Sequence, residues 1–383
     1  MKIPWRNRIN LMLLLMIFLS FLTFSVACHF MRSIKSEKAF KLTVKVIYEN
    51  RSWNETLFLS EDDVTPGLFM NNSWQEVYLV SASHPIRGFY NDPDGNHVVS
   101  LNIGEMKVPP GGRVIYNVTY RLIYKERKLP IISEEESGEL NDIPRELKEK
   151  YCKPTSLWQS NMTPLKEIAQ EIAGGEKKVL AILKKFIMWI ANNIYYATSE
   201  RPRYPNETLS QRLGDCDDQA NLLITFCRAV GIPAYLQMGC VHIPTLNRSL
   251  NYWSGHLLIR EVEVGWHGWA MVYVPPWGWL PVDLTYVSVD LKLNPINAIM
   301  RSAVMEHYVF QYLNVTVTDY VHKTISMKKF FEASEFYVYE EDIMELEREA
   351  ICPRLPLPII KSIHQVTIIS GPAITVITRK GVF

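Results

Sequence analysis

The 383-residue sequence predicts an α+β protein with one membrane helix at its N-terminus. Three patterns predict this architecture. An uncharged run at 11–27 has the length of a membrane span. Apolar residues alternate with polar ones in short stretches between 36 and 128, and they recur at helical spacing over 176–194. We therefore predict a membrane segment, then a β-sandwich, then a helix-containing core.

The N-terminal run follows a basic flank and, with Cys28 included, is about 27 Å long as a helix. That length matches the hydrocarbon thickness of a bilayer, and the basic flank favours a cytoplasmic N-terminus. A cleaved signal peptide is the alternative, because residues 25–27 read Ser-Val-Ala and resemble a processing site. Cleavage there would leave Cys28 first, as in a lipoprotein. We expect 1–31 to be a signal anchor or signal peptide and the rest of the chain to face outward.

The composition fits a globular protein that is exported rather than bound to nucleic acid. Apolar residues make up 48% and charged residues 21%, and the net charge of +1 gives no reason to expect a nucleic-acid partner. Asn-x-Ser/Thr sequences, which accept glycans on secreted surfaces, begin at Asn50, Asn54, Asn71, Asn117, Asn161, Asn206, Asn247 and Asn314. Surface loops are also rich in these residue types, so the pattern is compatible with export without requiring it.

The first half of the chain is rich in strand and turn signals. Residues 40–48 alternate apolar and polar side chains, and the turn sequences at 92–96 and 109–112 each precede a β-branched run. This spacing indicates a β-sandwich at 36–128. The Glu-rich stretch that follows predicts a charged linker at 129–157.

Helical spacing takes over in the second half. Residues 176–194 predict an amphipathic helix and 164–173 a shorter one, separated by Gly174 and Gly175. We assign 158–290 to one core domain that contains these helices. The remainder, 291–383, is expected to be an α/β extension with a helix at 295–305, a strand at 308–319 and a terminal hairpin at 366–378.

Cys216 has the sequence environment of a reactive thiol. Asp215 is a good helix N-cap and Asp218 completes a capping box, while Gly231 marks the end of the helix. Cys216 is then the first helical residue, where backbone N–H groups and the helix dipole favour a thiolate. The acidic residues that follow it oppose this effect, so a partner imidazolium is needed. We predict that Cys216 is a nucleophile.

His267 and Asp283 are the predicted partners of this thiol. They lie on two candidate strands joined by a tight Pro-Pro-Trp-Gly loop, and if Trp269 faces Asp283, the histidine lies diagonal to the carboxylate. Asp283 would then accept from one ring nitrogen while the other faces the thiol. His256 is the main rival for the base and Asp290 the weaker rival for the acid.

The other cysteines show no metal-ligand spacing. They are Cys28, Cys152, Cys227, Cys240 and Cys352, without a C-x-x-C pair, and we expect buried thiols, with Cys152–Cys352 as the favoured pairing if a disulfide exists. The sequence also lacks acidic clusters at calcium-loop spacing. We expect no metal ion and no cofactor.

Taken in order, these motifs resemble the transglutaminase-like superfamily. The motifs are Gly-Asp-Cys at 214–216, a helix ending in Arg-Ala-Val-Gly-Ile-Pro at 228–233, His-x-Trp at 267–269 and Trp-x-Pro-Val-Asp at 279–283. The resemblance covers roughly 160 to 290 and implies a papain-like α+β core with a Cys-His-Asp triad at Cys216, His267 and Asp283. The N-terminal sandwich resembles that of exported archaeal and bacterial members. Gly268 departs from the alanine that is more usual there.

The resemblance implies attack of a thiolate on an amide carbonyl of a protein or peptide, through a thioester. Water as the acceptor gives a peptidase or amidase, and an amine gives cross-linking; we expect hydrolysis to prevail. The family also has members that have lost catalysis, so a catalytically silent envelope scaffold is the alternative. Tryptophans near the site, which are Trp253, Trp266, Trp269, Trp277 and Trp279, are candidates to line a groove or to fill the core.

Overall fold

The computed structural model describes residues 38–287 and 290–347. The predicted membrane segment and the predicted hairpin at 366–378 lie outside these residues. Within the described ranges, no helix combines the length and the apolarity that a membrane crossing requires.

The described chain is a mixed α and β fold, as predicted, and strands dominate it. The strands are β1 (Lys38–Asn50), β2 (Leu57–Phe58), β3 (Gln75–Ala82), β4 (Ile86–Asn91), β5 (His97–Leu101), β6 (Lys107–Val108), β7 (Arg113–Tyr124), β8 (Tyr195–Tyr196), β9 (Leu213–Gly214), β10 (Ala234–Tyr252), β11 (Leu257–Val274), β12 (Gly278–Val282), β13 (Val309–Val315) and β14 (Phe336–Leu346). The α-helices are α1 (Arg145–Tyr151), α2 (Thr163–Ala173), α3 (Val179–Asn193), α4 (Pro205–Gln211), α5 (Cys216–Ala229), α6 (Asn297–Met300), α7 (Ala303–Glu306) and α8 (Tyr320–Glu332).

One eight-stranded sheet carries most of the long strands. Its order is β13-β10-β11-β14-β1-β7-β3, with β12 paired to β11 beside this path. The long antiparallel hairpin β10–β11 lies at the centre of this sheet. The first part of β11 pairs in parallel with β14, and its last part pairs with β12. The two ends of one hairpin therefore serve different neighbours.

The structure does not show a separate β-sandwich at 36–128. The strands predicted there do form, but β1, β7 and β3 continue the large sheet. The connection is β14, which pairs antiparallel with β1 from Phe40↔Leu346 to Asn50↔Phe336 and in parallel with β11. A strand almost 300 residues away along the chain thus joins the N-terminal strands to the core, and no local pattern could reveal that pairing.

The predicted linker at 129–157 also differs from expectation. It contains α1, and Ile132, Ile143 and Leu157 are buried in the core that the helices form. These few apolar side chains anchor the segment although its surface is Glu-rich. The segment therefore packs as part of the fold, and its charged residues are those on the solvent-facing side.

The two predicted helices before the site are confirmed as α2 and α3. Gly174, at φ 60°, ends α2 in the left-handed conformation that glycine adopts without strain. The single helix predicted at 295–305 is instead α6 and α7, because Ser302 forms a bridge to Val287 and Ala303 donates to the Tyr286 carbonyl at 2.9 Å. These bonds turn the chain between the two short helices.

Candidate active site

Cys216 is the first residue of α5, where the sequence placed it. Asp215 is the N-cap in extended conformation, and its backbone N–H donates to Asp218 Oδ2 at 3.3 Å, so the predicted capping box forms. Cys216 is 5% exposed, and α5 ends before Gly231 at φ 84°. The thiol therefore lies at the positive end of a well-capped helix, an environment that stabilises a thiolate.

The negative charge of Asp218 is neutralised by an arginine that sequence reasoning missed. Arg203 Nη1 donates to Asp218 Oδ2 at 2.7 Å, and the Arg203 backbone N–H donates to Oδ1 at 2.6 Å. Asp218 is fully buried and Arg203 nearly so. A hydrogen-bonded pair of this kind removes much of the repulsion that Asp218 would exert on a nearby thiolate.

Asp217 is held differently, by a neutral hydroxyl. Tyr320 Oη, at the start of α8, donates to Asp217 Oδ2 at 2.7 Å and accepts from Asn221 Nδ2 at 2.5 Å. Asn221 Oδ1 accepts from Trp158 Nε1 at 3.0 Å. All four side chains are buried. This chain of hydrogen bonds fastens the first two turns of α5 to elements before and after it in the sequence.

Together with Asp215, these carboxylates form a compact acidic group. One oxygen from each of Asp215, Asp217 and Asp218 lies within 4.8 Å of the others. The sequence spacing did not predict this cluster. Arg203 and Tyr320 already donate to two of the three carboxylates, so a cation at this spot would compete with donors of the protein for the same oxygens.

His267 and Asp283 form a buried hydrogen-bonded pair. His267 Nε2 lies 2.8 Å from Asp283 Oδ2, and each residue is 1% exposed. The pair follows from the register of β11 and β12, in which Ala270 is opposite Val282, so that the next position along brings Trp269 opposite Asp283. The histidine is then diagonal to the carboxylate on the same face.

The Asp283 carboxylate is oriented by the turn that follows it. Its Oδ1 accepts backbone N–H groups from Thr285 at 3.0 Å and from Tyr286 at 3.1 Å. Oδ2 is thereby left to face His267. The Tyr286 ring also packs edge-on against the imidazole, with centroids 5.9 Å apart. These contacts fix both members of the pair before any substrate is bound.

The start of α5 packs against β11 next to His267. A Cβ built on Gly268 would lie 3.2 Å from Asp217 Cβ and 3.6 Å from Asp217 Cα. Asp217 follows Cys216, and Gly268 follows His267, so the chain neighbours of the thiol and of the imidazole lie close to each other. An alanine at 268 would require α5 or β11 to yield by a few tenths of an ångström, whereas glycine requires no such shift.

Tyr196 is a further residue at the thiol that the sequence analysis did not single out. β8 pairs in parallel with β9, which sets Tyr196 opposite Gly214, two residues before Cys216. Burial, and then the negative charges of Cys216, Asp215 and Asp217, raise the pKa of Tyr196. The phenol therefore stays protonated and can donate a hydrogen bond, and the ring is still 42% exposed at the surface.

The rival residues have other roles. His256 follows a short 3-10 turn rather than lying on a strand; its Nδ1 is 2.8 Å from the Phe336 carbonyl oxygen, and its ring stacks on Tyr337. It is eleven positions from His267, roughly 35 Å along an extended strand. Asp290 is exposed and accepts the Lys292 backbone N–H at 2.9 Å. His256 is thus engaged with β14, and Asp290 with the turn that follows it.

The remaining described cysteines are not placed for reaction. Burial raises the pKa of the Cys152 thiol to about 11 and that of Cys227 further still. Cys240 is fully buried in an apolar cluster that includes Trp266 and Phe310. Cys28 and Cys352 lie outside the described residues, so the favoured Cys152–Cys352 pairing stays a prediction.

The tryptophans do not form a groove as a set. Trp253, Trp266 and Trp269 are almost fully buried, while Trp277 and Trp279 are partly buried against the core. Trp266 Nε1 donates to Asp342 and Trp253 Nε1 to the Glu200 carbonyl. Trp253, Trp266 and Trp269 are therefore core residues, and the groove interpretation is wrong for these three.

Comparison with known proteins identifies the class of this core. Residues 166–284 match the family model of the transglutaminase-like superfamily. The matched segment contains Cys216, His267 and Asp283. The resemblance recognised from the sequence is thus confirmed over this part of the chain.

Two solved structures are similar to this chain at low sequence identity. One, described as a "putative cysteine protease" from Cytophaga hutchinsonii, is 16% identical with a TM-score of 0.50, covering 84% of this chain and 93% of that chain. Another, described as a "putative protease" from Parabacteroides distasonis, is 12% identical over 66% of this chain and 68% of that one, with a TM-score of 0.23. The first likeness concerns the fold alone. No curated protein sequence matches the chain.

Proposed function

We propose that this protein is a thiol enzyme that acts on amide bonds of proteins or peptides through Cys216, His267 and Asp283. The observation that carries the proposal is the buried 2.8 Å contact between His267 Nε2 and Asp283 Oδ2, beside a capped helix that begins with a cysteine. An oriented imidazole next to a thiol at a helix N-terminus has the parts that nucleophilic catalysis needs. Their fixed geometry also argues against a silent scaffold, which would have no need of it.

The roles follow from the atoms. Asp283 keeps the His267 proton on Nε2, so Nδ1 can accept the proton of the Cys216 thiol. The thiolate attacks the amide carbonyl and forms a tetrahedral intermediate. We assign its oxyanion to the backbone N–H of Cys216 and the hydroxyl of Tyr196. Collapse breaks the C–N bond; the leaving amine takes the proton from His267, and the acyl group remains as a thioester.

The second half of the reaction decides between hydrolysis and transfer. Water attacks the thioester as His267 removes its proton, and the acid leaves as the thiol is restored; an amine attacking in the same way forms a new amide. Water is present at about 55 M, so an amine prevails only where the site excludes water. Because Trp253, Trp266 and Trp269 are buried in the core, they supply no tunnel wall that would do so. We propose hydrolysis as the main outcome.

The test compares products in one mixture. The protein is incubated with a glutamine-containing peptide and a labelled primary amine, and the products are identified and quantified by mass spectrometry. Free acid or cleaved peptide as the main product supports hydrolysis, whereas incorporated amine as the main product overturns it. The Cys216→Ala variant is the control and should yield neither. Lack of any product, together with a Cys216 that resists alkylation, would instead support the scaffold.

A further inference from the structure

Tyr320 reaches the site from outside the transglutaminase-like core. It is the first residue of α8, beyond the matched segment 166–284, and it is fully buried. Its hydroxyl lies between Asp217 Oδ2 and Asn221 Nδ2, at 2.7 and 2.5 Å. The C-terminal extension therefore contributes a polar side chain to the helix that presents Cys216.

Asp217 needs such a partner because of where it lies. It is 4% exposed, it follows Cys216, and its Cα and Cβ lie where a Cβ on Gly268, the neighbour of His267, would meet them. A buried carboxylate at this place would harm catalysis in two ways. Its charge would raise the pKa of the thiol, and its oxygens would compete with the thiol for the imidazole. A hydroxyl donating to the carboxylate lessens both effects.

Other charged and titratable groups lie on the elements around the thiol or contact its neighbours. They are Asp215 and Asp218 on α5, Arg203 paired with Asp218, Tyr196 on β8, His267 on β11, Asp283 after β12 and Arg248 on β10, whose charge reaches Tyr196. Arg203 serves Asp218 in this group, and Tyr320 serves Asp217. Burial, and then the charge of Asp217, raise the pKa of Tyr320, so its hydroxyl remains a donor.

We propose that Tyr320 is a positioning residue that holds the Asp217 carboxylate away from the Cys216–His267 pair. The proposal rests on the proposed function in taking those two residues as nucleophile and base. Without the Tyr320 hydroxyl, Asp217 turns its charge toward the pair and lowers the fraction of thiolate. The defect arises from Asp217, so removing the Asp217 charge repairs it.

The experiment measures the rate of Cys216 alkylation by iodoacetamide against pH, which requires no turnover. Tyr320→Phe should shift the profile upward and slow alkylation at pH 7 by roughly three- to tenfold, the effect of one poorly screened charge. The double variant Tyr320→Phe/Asp217→Asn should return to within about twofold of the wild-type rate. Tyr120→Phe, which removes an equally buried hydroxyl bonded to the Gly67 carbonyl, is the matched control and should leave the profile unchanged.

Several outcomes would overturn the proposal. One is a pH profile of alkylation in Tyr320→Phe that is unshifted or shifted downward. Another is slow alkylation in the double variant, because Asp217→Asn does not rescue a purely structural loss. Should Tyr320→Phe fail to fold, Asp217→Asn alone decides: a tied carboxylate predicts a change below about twofold, and a larger change in either direction contradicts the proposal. Normal alkylation without peptide turnover would count against the proposed function only.

Discussion

Asp283→Asn probes the orientation of the imidazole with an isosteric change. The two backbone N–H groups of Thr285 and Tyr286 bind Asp283 Oδ1, so an asparagine that keeps both bonds must turn its NH₂ toward His267. His267 Nε2 then has to accept, and its proton moves to Nδ1. A ring with the proton on Nδ1 cannot take one from the thiol, so this arrangement is inactive.

The alternative orientation sets the size of the effect. If the asparagine amide turns around, its oxygen again accepts from His267 Nε2. The backbone N–H groups of Thr285 and Tyr286 then face the NH₂ group and have no acceptor. Each unsatisfied donor costs about 1–3 kcal/mol, or about 2–6 kcal/mol for both. The productive orientation is therefore populated at roughly 1 part in 30 to 1 part in 10⁴. We therefore expect acylation by the variant to fall by roughly 30-fold to 10⁴-fold while the fold is kept.

Acylation is measured with a p-nitrophenyl ester as the rate of p-nitrophenol release. Only the part of this rate that is lost in Cys216→Ala is counted. Asp290→Asn is the control, since Asp290 is exposed and binds only the nearby backbone in the described part of the chain. A loss of less than tenfold in Asp283→Asn, with circular dichroism unchanged, would refute the claim that Asp283 fixes the tautomer.

Three further predictions concern packing, the oxyanion and topology. Gly239→Ala should destabilise the fold by about 2–3 kcal/mol in thermal melts, because the new Cβ would lie 2.3 Å from the Phe310 carbonyl oxygen and 2.8 Å from the Trp269 ring; an unchanged Tm would show that the strands yield. Tyr196→Phe should lower acylation by roughly 10²-fold with little effect on the alkylation rate of Cys216, and equal activity would remove Tyr196 from the oxyanion site. If 1–31 tether an outward-facing domain, protease added to intact cells should digest it, and protection until lysis would contradict that topology.

The sequence predicted those parts of the candidate site that lie on single elements. Cys216 was found from a cap, a helix and a terminating glycine, and His267 and Asp283 were found from two strands around a tight turn. Such signals are local, because capping and hairpin register depend on residues a few positions apart. The His267–Asp283 contact follows from that register.

Long-range contacts were beyond the same reasoning. Arg203 precedes Asp218 by fifteen residues and Tyr320 follows Asp217 by 103, and nothing in either residue's surroundings marks it as a partner. The pairing of β1 with β14 could not be predicted for the same reason, because an alternating pattern identifies a strand but not the strand with which it pairs. The buried residues of 129–157 were masked by their charged neighbours.

The most direct test of the central claim is competitive alkylation of the native protein with iodoacetamide at pH 7, read by peptide mapping. A thiol at a capped helix start beside an oriented imidazole predicts that Cys216 is modified before Cys227 and Cys240, and that His267→Ala slows this reaction by at least about tenfold. Modification of Cys227 or Cys240 first, or an undiminished Cys216 rate in His267→Ala, would contradict the account.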